Sequence, residues 1–202
     1  MTSTAPDASG TTLTRSQQAR RDRIVAAAVE LAASGGFDAV QMREVAARAD
    51  VALGTLYRYF PSKEYLLVSV MADQVDALAE RLVARPPEGV DPVERVMDVL
   101  GRANRALQRQ PDVTVAMMRA LVSGNTDLAP AVAANRVGMR RIISDALRTG
   151  TGGGDSDDAD RALAIDLLND VWFAALVSWI SGAESAESVL PRLEAAARSL
   201  LG

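Results

Sequence analysis

The sequence predicts an all-α protein of about nine helices, and three observations carry the prediction. Apolar residues recur at helical spacing along most of the 202-residue chain. The β-branched alternation of strands is missing, and aromatic residues make up only 4%. Between the apolar stripes stand short segments rich in glycine and proline that stop helices.

Residues 1–13 are rich in Ser, Thr, Pro and Ala, with almost no large apolar groups, and are expected to be disordered. The first helix is expected over Arg15 to Ala33, with Ile24, Ala27, Ala28, Leu31 and Ala32 on one face and Gly35-Gly36 as its stop. The second covers about Gln41 to Ala49, with Val45, Ala46 and Ala49 turned inward. The third covers Ala52 to Tyr59 and is stopped by Pro61. Ser62 caps a fourth helix from Lys63 to about Ala84, and Arg85-Pro86-Pro87-Glu88-Gly89 is a firm break.

Asp91-Pro92-Val93-Glu94 opens the fifth helix with an N-cap aspartate, a first-turn proline and a glutamate at the third position. That helix should reach Gln110. A sixth is expected over about Asp112 to Ser123 and a seventh over about Leu128 to Arg148. Residues 149–158 read as a flexible loop; Gly152-Gly153-Gly154 lacks the Gly-Lys-Ser/Thr that would make it a phosphate cradle. The eighth helix covers about Ala159 to Ser181. The last starts near Ser188, because Pro191 is tolerated only within a first turn.

Composition excludes whole classes of chemistry. The chain has neither cysteine nor histidine. Disulfides, thiolate metal sites and Ser-His-Asp catalysis therefore fall together, and neither metal nor cofactor is expected. No segment has eighteen uncharged apolar residues in a row, and the N-terminus lacks the basic and apolar regions of a secretory signal. A cytoplasmic protein without membrane association is the expectation. The net charge is −4, but it is unevenly spread. Residues 1–63 hold eight basic and six acidic groups, leaving fourteen basic and twenty acidic for the rest. A small basic module thus precedes an acidic body.

The third helix explains the basic module. At about 100° per residue, Leu53, Leu56 and Phe60 share one narrow sector. Gly54, Tyr57 and Arg58 fall roughly opposite, with Thr55 and Tyr59 on the flanks. The apolar sector can dock on Val45 and Ala49 of the preceding helix. Two short helices joined at Ala49-Asp50-Val51 make a helix-turn-helix, whose second helix suits the major groove of DNA. Arg58 can bond guanine bidentately, and Gly54 lets the backbone approach the bases. Thr55, Tyr57 and Tyr59 offer hydroxyls to phosphate, and Lys63 opens the next helix, where free N–H groups already favour an anion. Arg43, in the first turn of the second helix, can reach a phosphate or a groove edge. A solvated amphipathic helix is the bland alternative; two short helices followed by Pro-Ser-Lys are more specific.

The segment QMREVAARADVALGTLYRYFPSKEYLL resembles the DNA-binding signature of the TetR family of transcriptional repressors. The resemblance covers about residues 15–70 and is carried beyond them by helix count and length. It implies a three-helix head (14–62), a ligand-binding and dimerisation body (63–202), a homodimer and a near-palindromic operator in double-stranded DNA. By position it implies phosphate contacts from Thr55, Tyr57, Tyr59 and Lys63, and base contacts from Arg43, Gly54, Tyr57 and Arg58. This chain departs from the family in carrying Gln41 where Ser or Thr is frequent, Asp50 for a turn glycine and Ala52 for a capping serine. ANRALQRQP (103–111) and NDVWFAALVSWISG (169–182) resemble the branch that governs sterol catabolism. That implies a sterol catabolite, or its coenzyme A thioester, as effector.

In the body, Met97, Leu100, Met117, Met118, Leu121, Met139, Ile143, Trp172, Phe173 and Leu176 make an apolar pocket between helices plausible, with Asn104 at its rim. Singly, each reads as ordinary core. The eighth helix is apolar on nearly all sides from Val171 to Val177 and must be covered on more than one. A two-fold interface is expected from this helix, through Trp179, and from the last, through Val189, Leu193, Ala196, Ala197 and Leu200. Two rival functions stand beside the repressor: a helical adaptor, and a carboxylate enzyme using Asp166 and Asp170, one turn apart. The latter lacks the Glu-x-x-His motif of bundle metal sites.

Overall fold

The computed structural model describes residues 14–148 and 158–201. The tail expected to be disordered and the glycine-rich loop, up to residue 157, lie outside the described residues. Among the described residues the protein is built of nine α-helices and short 3-10 turns, without strands. In chain order these are α1 (Arg15–Ala39), α2 (Met42–Arg48), α3 (Leu53–Tyr59), α4 (Lys63–Ala84), α5 (Pro92–Arg109), α6 (Pro111–Leu121), α7 (Ala129–Arg148), α8 (Asp158–Ile180) and α9 (Val189–Leu201).

Local chemistry sets the boundaries. Thr14 caps α1 in a reciprocal box with Gln17. The regular helix breaks at Gly35-Gly36, where Gly36 has φ 65°, as its glycine requires. A further turn follows the break, and it brings Phe37 and Asp38 to α6. Ser62 caps α4 by accepting from the Tyr65 N–H at 3.1 Å, and Asp91 caps α5 by accepting from Glu94 at 2.8 Å. Ala52, at the N-cap of α3, makes no side-chain capping bond. That start is held by the Thr55 and Leu56 N–H groups on the Ala52 carbonyl.

Two apolar cores meet along α4. The first joins α1, α2 and α3 to α6 and to Leu66, Leu67, Val68 and Val70 of α4. The second joins α5, α7, α8 and α9 to Leu78, further along α4. Met71 of α4 and Leu107 of α5 touch both. A rigid rod of 22 residues therefore runs from the base of the first three helices into the interior of the rest.

The connection after α4 is clipped rather than loose. Arg102 donates to the Arg85 and Pro86 carbonyls at 2.6 and 3.2 Å. It also pairs with Asp98 at 2.6 Å, and Asp98 accepts the Glu88 N–H at 3.0 Å.

Helix α8 is long and apolar enough to cross a membrane by length and composition. It packs against α7 and α9, and its Ala175 and Leu168 are fully buried in the second core. Two of its carboxylates are paired with arginines of α7: Asp166 with Arg140, and Asp170 with Arg136 at 2.8 Å.

Candidate functional site

The turn between α2 and α3 is tight. Asp50 carries φ 52°, a conformation that aspartate tolerates better than most residues. The Val51 N–H bonds the Ala46 carbonyl at 3.0 Å, and Arg23 of α1 donates to the Ala49 carbonyl at 3.3 Å. Leu56 and Phe60 are buried and Leu53 is half-buried, which fixes the rotation of α3. The opposite side is open: Gly54 and Arg58 are exposed, and Tyr57 is 46% exposed. No atom comes within 4 Å of where a Gly54 Cβ would stand, so a partner can approach that backbone.

The flanking groups are more constrained. Thr55 and Tyr59 are half-buried, and Tyr59 packs on the first core. The Arg58 guanidinium lies 5.8 Å from the Tyr59 ring centre. Arg43, on α2, is exposed. Lys63 is half-buried, donating to the Phe37 carbonyl at 3.3 Å with its ammonium 3.9 Å from the Phe37 ring centre. Arg119 of α6 lies 4.6 Å from the same ring and pairs with Asp38 at 3.0 Å. Sequence reasoning did not find these roles of Phe37 and Arg119, because they arise only when the turn after Gly36 meets α6.

A cavity of about 300 Å³ lies between α4, α5, α6, α7 and α8. Its lining includes Met118, Leu121, Met139, Trp172, Phe173 and Leu176. Met97, Leu100, Asn104, Met117 and Ile143, expected beside them, do not line it. Met117 faces the first core, while Leu100 and Ile143 are sealed in the second, against which Met97 packs. Asn104 is fully buried on α5 and is not part of the lining, although Ala103 and Leu107 of the same helix are, so it is no rim residue. Helix α4 contributes Met71, Gln74, Val75, Leu78 and Arg81 to the wall, and the sequence pattern pointed to none of them. Nor did it point to Asn135 and Asn169. A helix uniformly amphipathic on paper does not show that one of its stripes faces a hollow.

The exposed apolar face also differs from the one expected. Val189, Leu193 and Ala197 are fully buried within this chain, so they cannot present a surface to a second copy. Their side of α9 packs on α5 and α8. Trp179, Ala196 and Leu200 are only half-buried. Helix α8 instead carries four exposed apolar groups, Leu163, Leu167, Phe173 and Val177. Among the described residues no group of three or more His, Cys, Asp or Glu could hold a metal. Asp166 and Asp170, the carboxylate pair of the enzyme alternative, each serve an arginine of α7.

Comparison with known proteins places this architecture. Residues 24–70 match the family described as bacterial regulatory proteins, tetR family, and residues 89–200 match the tetracyclin repressor-like C-terminal domain. The HTH-type transcriptional repressor KstR of Rhodococcus jostii (strain RHA1) is 42% identical over 189 residues, covering 92% of this chain and 84% of that protein. A crystal structure of a TetR transcriptional regulator from Rhodococcus sp. RHA1 superposes with a TM-score of 0.81 at 36% identity, over 93% of this chain and 98% of that one. Thermus thermophilus FadR, a repressor solved in complex with lauroyl-CoA, superposes with a TM-score of 0.65 at 25% identity, over 90% and 93% of the two chains. With its helix-turn-helix, its helical body and these matches along nearly its whole length, the chain belongs to the TetR family of transcriptional regulators.

Proposed function

We propose that this TetR-type regulator is a repressor that binds a near-palindromic operator as a homodimer and is released by a small, largely apolar effector. The observation that carries the reading is the division of α3. Leu56 and Phe60 anchor it, while Gly54, Tyr57 and Arg58 stand free on the outer side, the arrangement a major groove requires. In this reading Arg58 and Arg43 reach base edges, Tyr57 serves both base and phosphate, and Thr55, Tyr59 and Lys63 position the head on phosphates. Lys63 does so while resting on Phe37, so its charge is held at the start of α4.

The cavity supports the effector part. Its volume sits at the low end of the range for small-molecule sites, about 300–1,000 Å³, and its wall is mostly aliphatic, aromatic and methionine. Arg81, at the cavity edge, is exposed and makes no ion pair among the described residues. That fits an effector whose apolar part is inside and whose anionic part is outside, such as a sterol catabolite carried as its coenzyme A thioester. The bound acyl-CoA of the Thermus relative supports the same ligand class.

Release follows from α4. Ligand favours a body conformation in which α4 swings, and the spacing of the two heads ceases to match half-sites about 34 Å apart. The dimer covers the open face of α8, with Leu163, Leu167 and Val177 against a second copy.

An electrophoretic shift on DNA upstream of the protein's own gene tests this, run as a salt series with and without steroid and acyl coenzyme A thioesters. A sequence-specific shift that weakens steeply with salt and is reversed by one of these thioesters is expected. Binding without sequence preference would overturn the repressor reading.

A further inference from the structure

The cavity wall is apolar, yet three buried polar atoms on it have no hydrogen-bond partner among the described protein atoms. They are Asn135 Oδ1, Asn169 Nδ2 and Trp172 Nε1. Asn135 and Trp172 are each only 8% exposed. Buried polar atoms in native proteins are nearly always paired, with protein, water or ligand. Asn104 on α5 also has both amide atoms unpaired but does not line the cavity, whereas these three stand where a ligand group can reach them.

Other polar residues on the wall are already engaged or lie outward. The Thr114 hydroxyl donates to the Leu107 carbonyl at 2.7 Å, and Arg136 is held by Asp170. Gln74 is half-buried and Arg81 exposed.

The geometry of the three is partly set. Asn135, on α7, donates its Nδ2 to the Val68 carbonyl of α4 at 3.3 Å, which turns the amide and leaves Oδ1 as an acceptor. Asn169 and Trp172 stand three residues apart on α8, so they share one side of that helix. The set therefore offers two N–H donors and one acceptor, and none of the three is charged. A carboxylate or an ammonium does not suit it, because no counter-charge faces these atoms from within. A neutral oxygen does. A carbonyl accepts from both N–H groups; a hydroxyl also accepts and returns its own proton to Asn135 Oδ1.

We propose that Asn169 and Trp172 of α8, with Asn135 of α7, read one neutral oxygen, a ketone or a hydroxyl, on the buried portion of an otherwise apolar effector. This rests on the reading that the cavity holds the effector, and it adds what that reading leaves open: how an apolar pocket tells an oxidised ring system from a plain hydrocarbon. Hydrocarbon burial alone discriminates weakly. A site built to hydrogen-bond an oxygen rejects the analogue lacking it, because the site's own polar atoms then stay unpaired.

The test uses the full chain and three matched probes: 5α-androstane, the same skeleton with one ketone on a terminal ring, and the same skeleton with one hydroxyl there. Isothermal titration should show the oxygenated probes binding about tenfold or more tighter than the hydrocarbon. Asn169→Leu and Trp172→Phe should each shrink that preference, read as the ratio of oxygenated to hydrocarbon affinity within each variant, by about threefold or more. If all three probes bind wild type equally, this inference is overturned and the cavity reading stands. If none binds, the cavity reading falls and takes the inference with it. The wild-type comparison needs no variant, so it decides the matter even if a substitution fails to fold.

Discussion

Arg21 of α1 grips Asp73 of α4 through two parallel hydrogen bonds of 2.9 and 2.7 Å, and the same guanidinium lies 5.8 Å over the ring of Phe60. The Asp73 carboxylate raises the Arg21 pKa above its already high ordinary value, so the guanidinium stays charged across the whole working range. The pair's position matters more than its strength. Asp73 sits between Met71 and Gln74, both on the cavity wall, so in the proposed mechanism a displacement of α4 would be passed to α1 through this pair. Asp73→Ala is predicted to leave effector affinity within about twofold but to reduce the effector-induced change in operator affinity by about threefold or more, following the logic of coupled sites. Titrations of DNA binding with and without effector measure both. An undiminished response in the variant would move the transmission elsewhere, with α6 the next candidate.

The reading face makes a second prediction about pattern rather than size. Arg58 is exposed, while Lys63 is held on Phe37 at the first turn of α4. Arg58→Ala should cost about 1–3 kcal/mol on the cognate operator and relax preference at one base position. Lys63→Ala should weaken binding to all sequences alike and lower the salt slope by about one. It should also lower thermal stability slightly, through the lost contact with Phe37. Selection from a randomised operator library separates the two. If Lys63→Ala relaxed base preference and Arg58→Ala changed only the salt slope, the two roles would have to be exchanged.

These two residues also show what the sequence could reveal. The outward face of α3 was legible because Leu53, Leu56 and Phe60 define the buried sector of so short a helix without ambiguity. Helix limits were legible wherever a cap or a proline marked them, as at Ser62 and Asp91. The faces of the long body helices were not. Leu193 and Leu167 are both leucines at helical spacing, yet one is sealed in this chain's core and the other is 43% exposed. Burial there depends on which neighbour packs against which stripe, and periodicity carries no such information. Asn135 and Asn169 were invisible for a similar reason, since a single asparagine on a helix reads as solvated.

A third prediction concerns acid. Burial opposes ionisation of Asp98, but the Glu88 N–H and the Arg102 guanidinium outweigh it and hold the carboxyl below the ordinary aspartate range. A folded-state pKa below the unfolded one means that the charged form stabilises the native state. That contribution is complete above about pH 4 and is lost as pH falls through the lower, folded-state value. Asp98→Asn should therefore lower the melting temperature at neutral pH by a few degrees, and the gap from wild type should close below about pH 4. A gap that stays constant down to about pH 3 would show that the clip on the α4–α5 connection does not depend on this charge.

The last prediction distinguishes the two apolar sides of the α8–α9 layer. Leu167 lies on the open side with Leu163 and Val177, whereas Leu193 is fully buried against α5 and α8. If a second copy covers the open side, Leu167→Arg places a charge in a desolvated interface while leaving each chain's core intact. The variant should sediment as a folded monomer with unchanged helical circular dichroism. It should lose about tenfold or more in affinity for a full operator, since each head then meets a single half-site. Leu193→Arg, by contrast, should fail to fold, because it buries an unpaired cation in the second core. Sedimentation velocity on the two variants beside wild type makes the measurement. A Leu167→Arg protein that sediments together with a dimeric wild type would place the interface on another face, with half-buried Trp179 and Leu200 the first residues to substitute next.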